Sequence, residues 1–184
     1  MNDTNADVGK VVVNRAMSLD GFIAGPDDAM DWVFDYTSED RFPEVVAATG
    51  AMLIGRHTHE VAARMATEDT GYDGGPVFVL THRPPAEPVP GVTFLTGDLA
   101  EAVRTALAAA GGLNLEILGA DLASQCLRQG LVDEVLVYVL PVLLGDGTRF
   151  STSGLGRIDL DPIGNTQSGP VTMLRFRVPK VPTA

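Results

Sequence analysis

Three short stretches place a small residue, a hydroxyl or a cation directly after an apolar run. They are Gly55-Arg56-His57-Thr58, Leu80-Thr81-His82-Arg83 and Leu118-Gly119-Ala120-Asp121, the last running on to Leu122. In an open α/β sheet, ligands bind outside the carboxyl ends of the strands, where helix N-termini offer unpaired N–H groups to anions. A small residue after the strand lets a phosphate approach the backbone, and Arg56 and Arg83 add positive charge. Together the three junctions predict a dinucleotide site; singly, each is weak, and Gly-Arg after a strand is more often just a turn. No Gly-x-Gly-x-x-Gly follows a strand and no Walker A motif occurs, so neither the Rossmann nor the P-loop version of such a site applies. Other combinations carry less. In His57-x-His59 followed by Glu60, residues two apart on a helix diverge by about 200°, which argues against joint metal ligation. Asp146-Gly147 after Leu144-Gly145 reads as a tight turn, and Asp133-Glu134 as a turn and strand start. Cys126 lies in an apolar helical stretch with no base near it in sequence, and a single thiol forms no internal disulfide.

Those junctions need strands to precede them and helices to follow. Apolar runs predict strands at 11–17, 51–54, 77–80, 92–95, 115–118 and 134–140, with extended chain at 22–24. Helices are expected from a cap at Asp28 (Asp27 being the other candidate) through Met30, Val33 and Phe34, then over about 40–49, 58–65, 99–110 and 121–129. Gly130 supplies the stop of the last one. Residues 172–178 alternate, with Leu174, Phe176 and Val178 on one face and Arg175 and Arg177 on the other, which predicts a half-exposed antiparallel strand. Residues 1–8 read as a disordered tail, 67–75 as a polar loop, and the proline-rich 83–90 as an exposed connection. Strand–helix–strand units through the middle imply right-handed parallel crossovers. The expectation is one α/β domain over 9–184, of three layers, with a mostly parallel central sheet and an antiparallel C-terminal edge.

The composition agrees with that size. The chain has 184 residues, 45% hydrophobic and 20% charged, enough for one core without a disulfide or metal staple. Thirteen basic against twenty-four acidic residues leave a net charge of −11, which argues against nucleic acid and anionic membranes as partners. Any anionic ligand must therefore meet a local cluster of Arg; Lys10 and Lys180 are the two lysines. The polar start MNDTNADVGK and the lack of an eighteen-residue apolar segment predict neither a secretion signal nor a membrane span. The lone cysteine makes a reducing, cytoplasmic setting the default.

The ordered set of motifs resembles the dihydrofolate reductase-like superfamily, and within it stand-alone relatives of the reductase domain of the riboflavin-biosynthesis deaminase/reductase. The matching pieces are Met17-Ser18-Leu19-Asp20-Gly21-Phe22-Ile23-Ala24-Gly25, Ile54-Gly55-Arg56-His57-Thr58 and Leu80-Thr81-His82-Arg83. A fourth runs from Gly130-Leu131-Val132-Asp133-Glu134 to Pro141-Val142-Leu143-Leu144-Gly145-Asp146-Gly147. The resemblance implies an NADPH site. Ala16 and Ile23 would flank the nicotinamide, and Gly55, Arg56 and Thr58, with His57 between them, would meet the phosphates. Thr81, His82 and Arg83 would lie on the adenosine side, where a guanidinium favours a 2′-phosphate. Leu118, Gly119, Ala120, Asp121 and Leu122 stand where relatives carry a Gly-Gly pair, of which Gly119 remains. Val46 and Gly50 stand where full riboflavin reductases carry an Arg and an Asp, and the His-x-Glu and Pro-Cys-x-x-Cys deaminase signature does not occur.

What the resemblance implies is a reductase of a small planar heterocycle, similar to 5-amino-6-(5-phosphoribosylamino)uracil reductase or dihydrofolate reductase. Hydride transfer needs orientation and a proton source. Asp31, Asp20 and Trp32 are the candidates, Asp31-Trp32 pairing an acid with a ring able to stack. The competing reading is that both acids serve turns and caps while Trp32 packs in the core. The apolar run 135–144, together with the resemblance, predicts a homodimer. The alternative function is an NADP(H)- or metabolite-binding dimer without catalysis.

Overall fold

The computed structural model describes residues 9–36, 42–65 and 75–180. The tail at 1–8, nearly all of the 67–75 loop and the first two residues of the helix expected at 40 lie outside them. The elements run β1 (Val11–Ser18), β2 (Phe22–Ala24), α1 (Asp31–Phe34), α2 (Pro43–Ala48), β3 (Thr49–Gly55), α3 (Arg56–Met65), β4 (Val77–Leu80) and β5 (Val92–Leu95). They continue with α4 (Leu99–Ala109), β6 (Asn114–Leu118), α5 (Ala120–Arg128), β7 (Glu134–Leu140), β8 (Thr148–Arg149), β9 (Asp161–Ser168) and β10 (Val171–Arg177).

Eight strands form one sheet in the order β5-β4-β3-β6-β1-β7-β10-β9, and β2 pairs with β8 separately. The six strands from β5 to β7 are parallel, while β10 runs antiparallel to both β7 and β9. The fold is therefore α/β, with a mostly parallel sheet and an antiparallel edge. Strand period two divides β1 between the layers: Val11 and Val13 join a core with Leu53, Ile117 and the buried faces of α4 and α5. Val12 joins the opposite core with Trp32, Phe42, Leu136 and Leu140. Asp98 caps α4 by accepting the Glu101 N–H at 3.0 Å.

Several local expectations are corrected. Asp28 does not cap a helix; it ends a short 3-10 turn with φ 62°, and α1 starts only at Asp31, after Met30. The helix expected at 58 starts two residues earlier, because Arg56 follows β3 directly. The strand at 172–178 is not the sheet edge: β9, a polar strand that contains Pro162 and Gly164, pairs outside it. Arg175 is partly buried and donates to the buried Glu134 at 2.6 Å. β7 is sandwiched between β1 and β10, so Val135 to Val137 and Leu140 are buried within one chain, while Leu143 is 69% exposed.

Candidate active site

The chain crosses its own sheet at β6, which enters between β3 and β1 after β4 and β5 have been laid outward. Such a reversal opens a crevice beyond the strands' carboxyl ends. Two joined cavities occupy it. The first, of about 340 Å³, has Asn14, Ala16, Glu116, Leu118 and Tyr138 among its lining, closed by Ile23, Met30 and the α3 residues Val61, Ala62 and Met65. The second, of about 520 Å³, is lined by Gly55 to Thr58, Leu80 to Arg83 and Gly119 to Leu122. His57, Thr58, Gly119, Ala120 and Thr148 line both, so the two form one trough.

All the residues expected on the cofactor side face this trough. Ala16, Ile23 and Leu118 lie in the first cavity; Gly55, Arg56, Thr81, His82, Arg83, Asp121 and Leu122 lie in the second; His57, Thr58, Gly119 and Ala120 lie at the junction. The donors suit a multiply anionic ligand. α5 starts at Gly119 with no side-chain cap, which leaves the N–H groups of its first turn open. Gly119 has φ +97°, and a Cβ there would stand 2.5 Å from Thr58 Oγ1. One glycine therefore meets the local requirement, and Leu118 before it supplies apolar wall. Arg56 is half-exposed and bound to Glu60 by a 3.5 Å pair along α3, a surface contact weak enough to yield to a phosphate. Arg83 is exposed, and its N–H donates to Thr81 Oγ1 at 3.1 Å.

The residues expected to act on the substrate do not come to the cavity. Asp20 is a structural anchor. It accepts from the Ser18 hydroxyl at 2.6 Å and from the Leu144 and Gly145 N–H groups at 3.1 and 2.7 Å. The Ser18 hydrogen bond and the two N–H groups hold its carboxyl down to about 2. Trp32 is buried in the core, its Nε1–H donating to Ala29 O at 3.0 Å. Asp31 sits exposed in the first turn of α1, where a carboxylate favours the helix dipole. None of the three lines either cavity.

Four residues not singled out in the sequence do. Asn14, Glu116 and Tyr138 share the floor of the first cavity, and Arg15 reaches it from the far face of β1. Arg15 is buried, donates Nη2–H to Gly119 O at 2.7 Å and has no partner for Nε. Burial lowers its pKa to about 10. It holds the Gly119 peptide just before the start of α5. Burial, and next the charge of Glu116, push the Tyr138 hydroxyl up, so it stays protonated. The available signal was compositional: a polar pair inside Val11–Met17 and an acid inside Leu115–Leu118 have no place in buried strands unless something uses them.

Asp28 closes the rim. Its carboxylate accepts from His57 Nε2 at 2.9 Å and Arg64 Nη2 at 3.0 Å, and the His57 hydrogen bond lowers its pKa. His57 is thereby engaged while His59 packs edge-on against Phe94, and among the described residues no cluster of metal ligands forms. Burial pushes the Cys126 thiol up to about 12, which makes it inert at neutral pH. The Arg/Asp pair has no counterpart for a steric reason at one position. A Cβ on Gly50 would lie 2.2 Å from Ala110 O, and Val46 points to solvent.

The family model for the RibD C-terminal domain matches residues 9–174. YwjB of Bacillus subtilis (strain 168), itself uncharacterized, is 28% identical over 170 residues, covering 91% of this chain and 97% of that protein. Among solved structures, a Shewanella sp. PV-4 protein assigned to riboflavin biosynthesis superposes with a TM-score of 0.79 at 23% identity, covering 92% of this chain and 99% of that one. The Thermotoga maritima diaminohydroxyphosphoribosylaminopyrimidine deaminase/5-amino-6-(5-phosphoribosylamino)uracil reductase superposes with a TM-score of 0.64 at 17% identity. That match covers 92% of this chain and 56% of that one, a likeness of fold. Among the described residues no helix is long and apolar enough to cross a membrane.

Proposed function

Because the chain belongs to the RibD C-terminal domain family, we propose that it is an NADPH-dependent reductase of a small planar heterocycle. The observation that carries this reading is the continuity of the trough. An anion-suited cavity at two helix N-termini opens, through Thr58 and Gly119, into a mostly apolar chamber with a polar floor. When bound, NADPH supplies the hydride. Gly55, Arg56, Thr58 and the first turn of α5 hold its phosphates, while Thr81, His82 and Arg83 take the adenosine end. Arg83 selects the 2′-phosphate by charge. Ala16 and Ile23 flank the nicotinamide and present one ring face to the chamber. Met30, Val61, Ala62 and Met65 supply apolar wall beside it, against which a planar ring can lie.

A second reading, a binding module without turnover, is favoured by one observation. Asp20 and Asp31 both stand outside the chamber, leaving Glu116 and Asp28 as the acids that line it. One experiment separates the two. Trp32 is the single tryptophan, so nucleotide binding in the trough is read as quenching of its emission with transfer to the reduced nicotinamide. The reductase reading expects a response to NADPH, followed by loss of 340 nm absorbance with a pterin, aminopyrimidine or quinone. Binding without oxidation across that panel favours the second reading. No response to NADPH or NADH at millimolar concentration overturns the reductase reading and leaves a module for a metabolite other than a nicotinamide nucleotide.

A further inference from the structure

Glu116 is the one group in the chamber whose chemistry the cofactor does not explain. β6 turns Leu115 and Ile117 into one core and Glu116 to the opposite face, 6% exposed. Its Oε1 accepts from Asn14 Nδ2 at 3.0 Å and lies 2.7 Å from Thr49 Oγ1, whose single proton it shares with Val45 O at 2.8 Å. Its Oε2 receives no hydrogen bond from any described residue. Two neutral groups thus fix the orientation of the carboxyl group and leave one oxygen as an acceptor for whatever enters. Among the described residues no cation pairs with it: of the basic residues in the lining, Arg15 is turned to Gly119 O and His57 is held by Asp28. Tyr138, its hydroxyl kept protonated chiefly by burial, lines the same floor. Glu116 lines the chamber, so an occupant that brings an N–H to Oε2 exchanges solvent for a directed hydrogen bond.

We propose that Glu116 is the specificity-determining residue of this chamber, accepting at Oε2 an N–H from the amino group of a planar amino-substituted heterocycle. The inference rests on the reductase reading for its setting and names the substrate class. A ring with a carbonyl oxygen in place of that amino group would set lone pairs against Oε2 and be rejected.

The test is calorimetric titration of the full chain, saturated with NADP⁺, with 2-amino-4-hydroxypteridine and with 2,4-dihydroxypteridine, which differ at that one substituent. The unmodified protein is expected to bind the amino compound about 10- to 100-fold more tightly, the worth of one charge-assisted hydrogen bond. Glu116→Gln, whose amide donates as well as accepts, brings the two affinities within about 3-fold of each other. Equal affinities in the unmodified protein, or a preference retained in Glu116→Gln, overturn the proposal. Should that variant not fold, Glu116→Asp withdraws the oxygen by one methylene and must reduce the preference several-fold. The same titration without nucleotide keeps the two readings separate. A pteridine preference that depends on Glu116 in a protein with no response to NADP(H) supports this inference while refuting the reductase reading.

Discussion

Gly119→Ala probes the joint of the trough more sharply than any charge substitution. The native residue sits at φ +97° and ψ 128°, a conformation that costs a residue with a Cβ about 1–3 kcal/mol. The new methyl would also lie 2.5 Å from Thr58 Oγ1, although 3.7 Å from Thr58 Cβ, an ordinary contact. Local relaxation is restricted because Arg15 Nη2 grips the same peptide through Gly119 O. For a domain of this size the expected fall in Tm is about 2–12 °C, read by urea and thermal unfolding. NADPH affinity should fall with it, since Thr58 is displaced from the phosphate side. The two causes separate in a double-mutant cycle with Thr58→Ala, which removes the colliding hydroxyl and leaves the backbone strain. The double variant should recover about 0.5–1.5 kcal/mol of the loss. A Gly119→Ala protein as stable as the parent would refute the strain argument, and zero coupling would refute the contact with Thr58.

Arg83→Ala should lower the preference for NADPH over NADH about 3- to 10-fold, a modest figure because the side chain is exposed; equal titrations of Trp32 emission before and after would remove Arg83 from 2′-phosphate recognition. Cys126, buried and pushed up to about 12, should resist an aromatic disulfide reagent at pH 8 in the folded protein and react fully once unfolded. Acid stability should follow Asp20. Its carboxyl is held down to about 2 from an ordinary value of 3.8, so its contribution is present above about pH 4 and lost as pH falls toward 2. Urea midpoints measured from pH 5 to pH 2 should fall more steeply for the parent than for Asp20→Asn; parallel slopes would contradict the assignment.

Most of the parallel strands were legible because their apolar runs are largely buried, as a covered parallel sheet requires; β5 is only partly so. β9 was not legible. Exposed along nearly its whole length, with Pro162, Gly164, Asn165 and Gln167 in a row, it has no period of its own and becomes a strand by pairing with β10. Asp20 misled for a related reason. Its position after the first strand looks chemical, while its partners lie 124 and 125 residues away. Trp32, plausible as a stacking surface, turned inward because α1 needs an apolar anchor on the β1–β7 face.

Read alone, the amino-acid order determined the strand and helix alternation, the positions of Gly55, Thr81 and Gly119 at strand ends, and the few cations available to meet an anion. Those are local properties, set by hydrophobic period and by backbone freedom after a strand. Which acid faces the chamber was decided only in three dimensions. The insertion of β6 between β3 and β1 brings Glu116 beside Asn14 and Thr49, while the 141–147 loop folds back and consumes Asp20. A carboxylate's role depends on which donors reach it, and donors over a hundred residues distant are chosen by strand order, which no local pattern encodes.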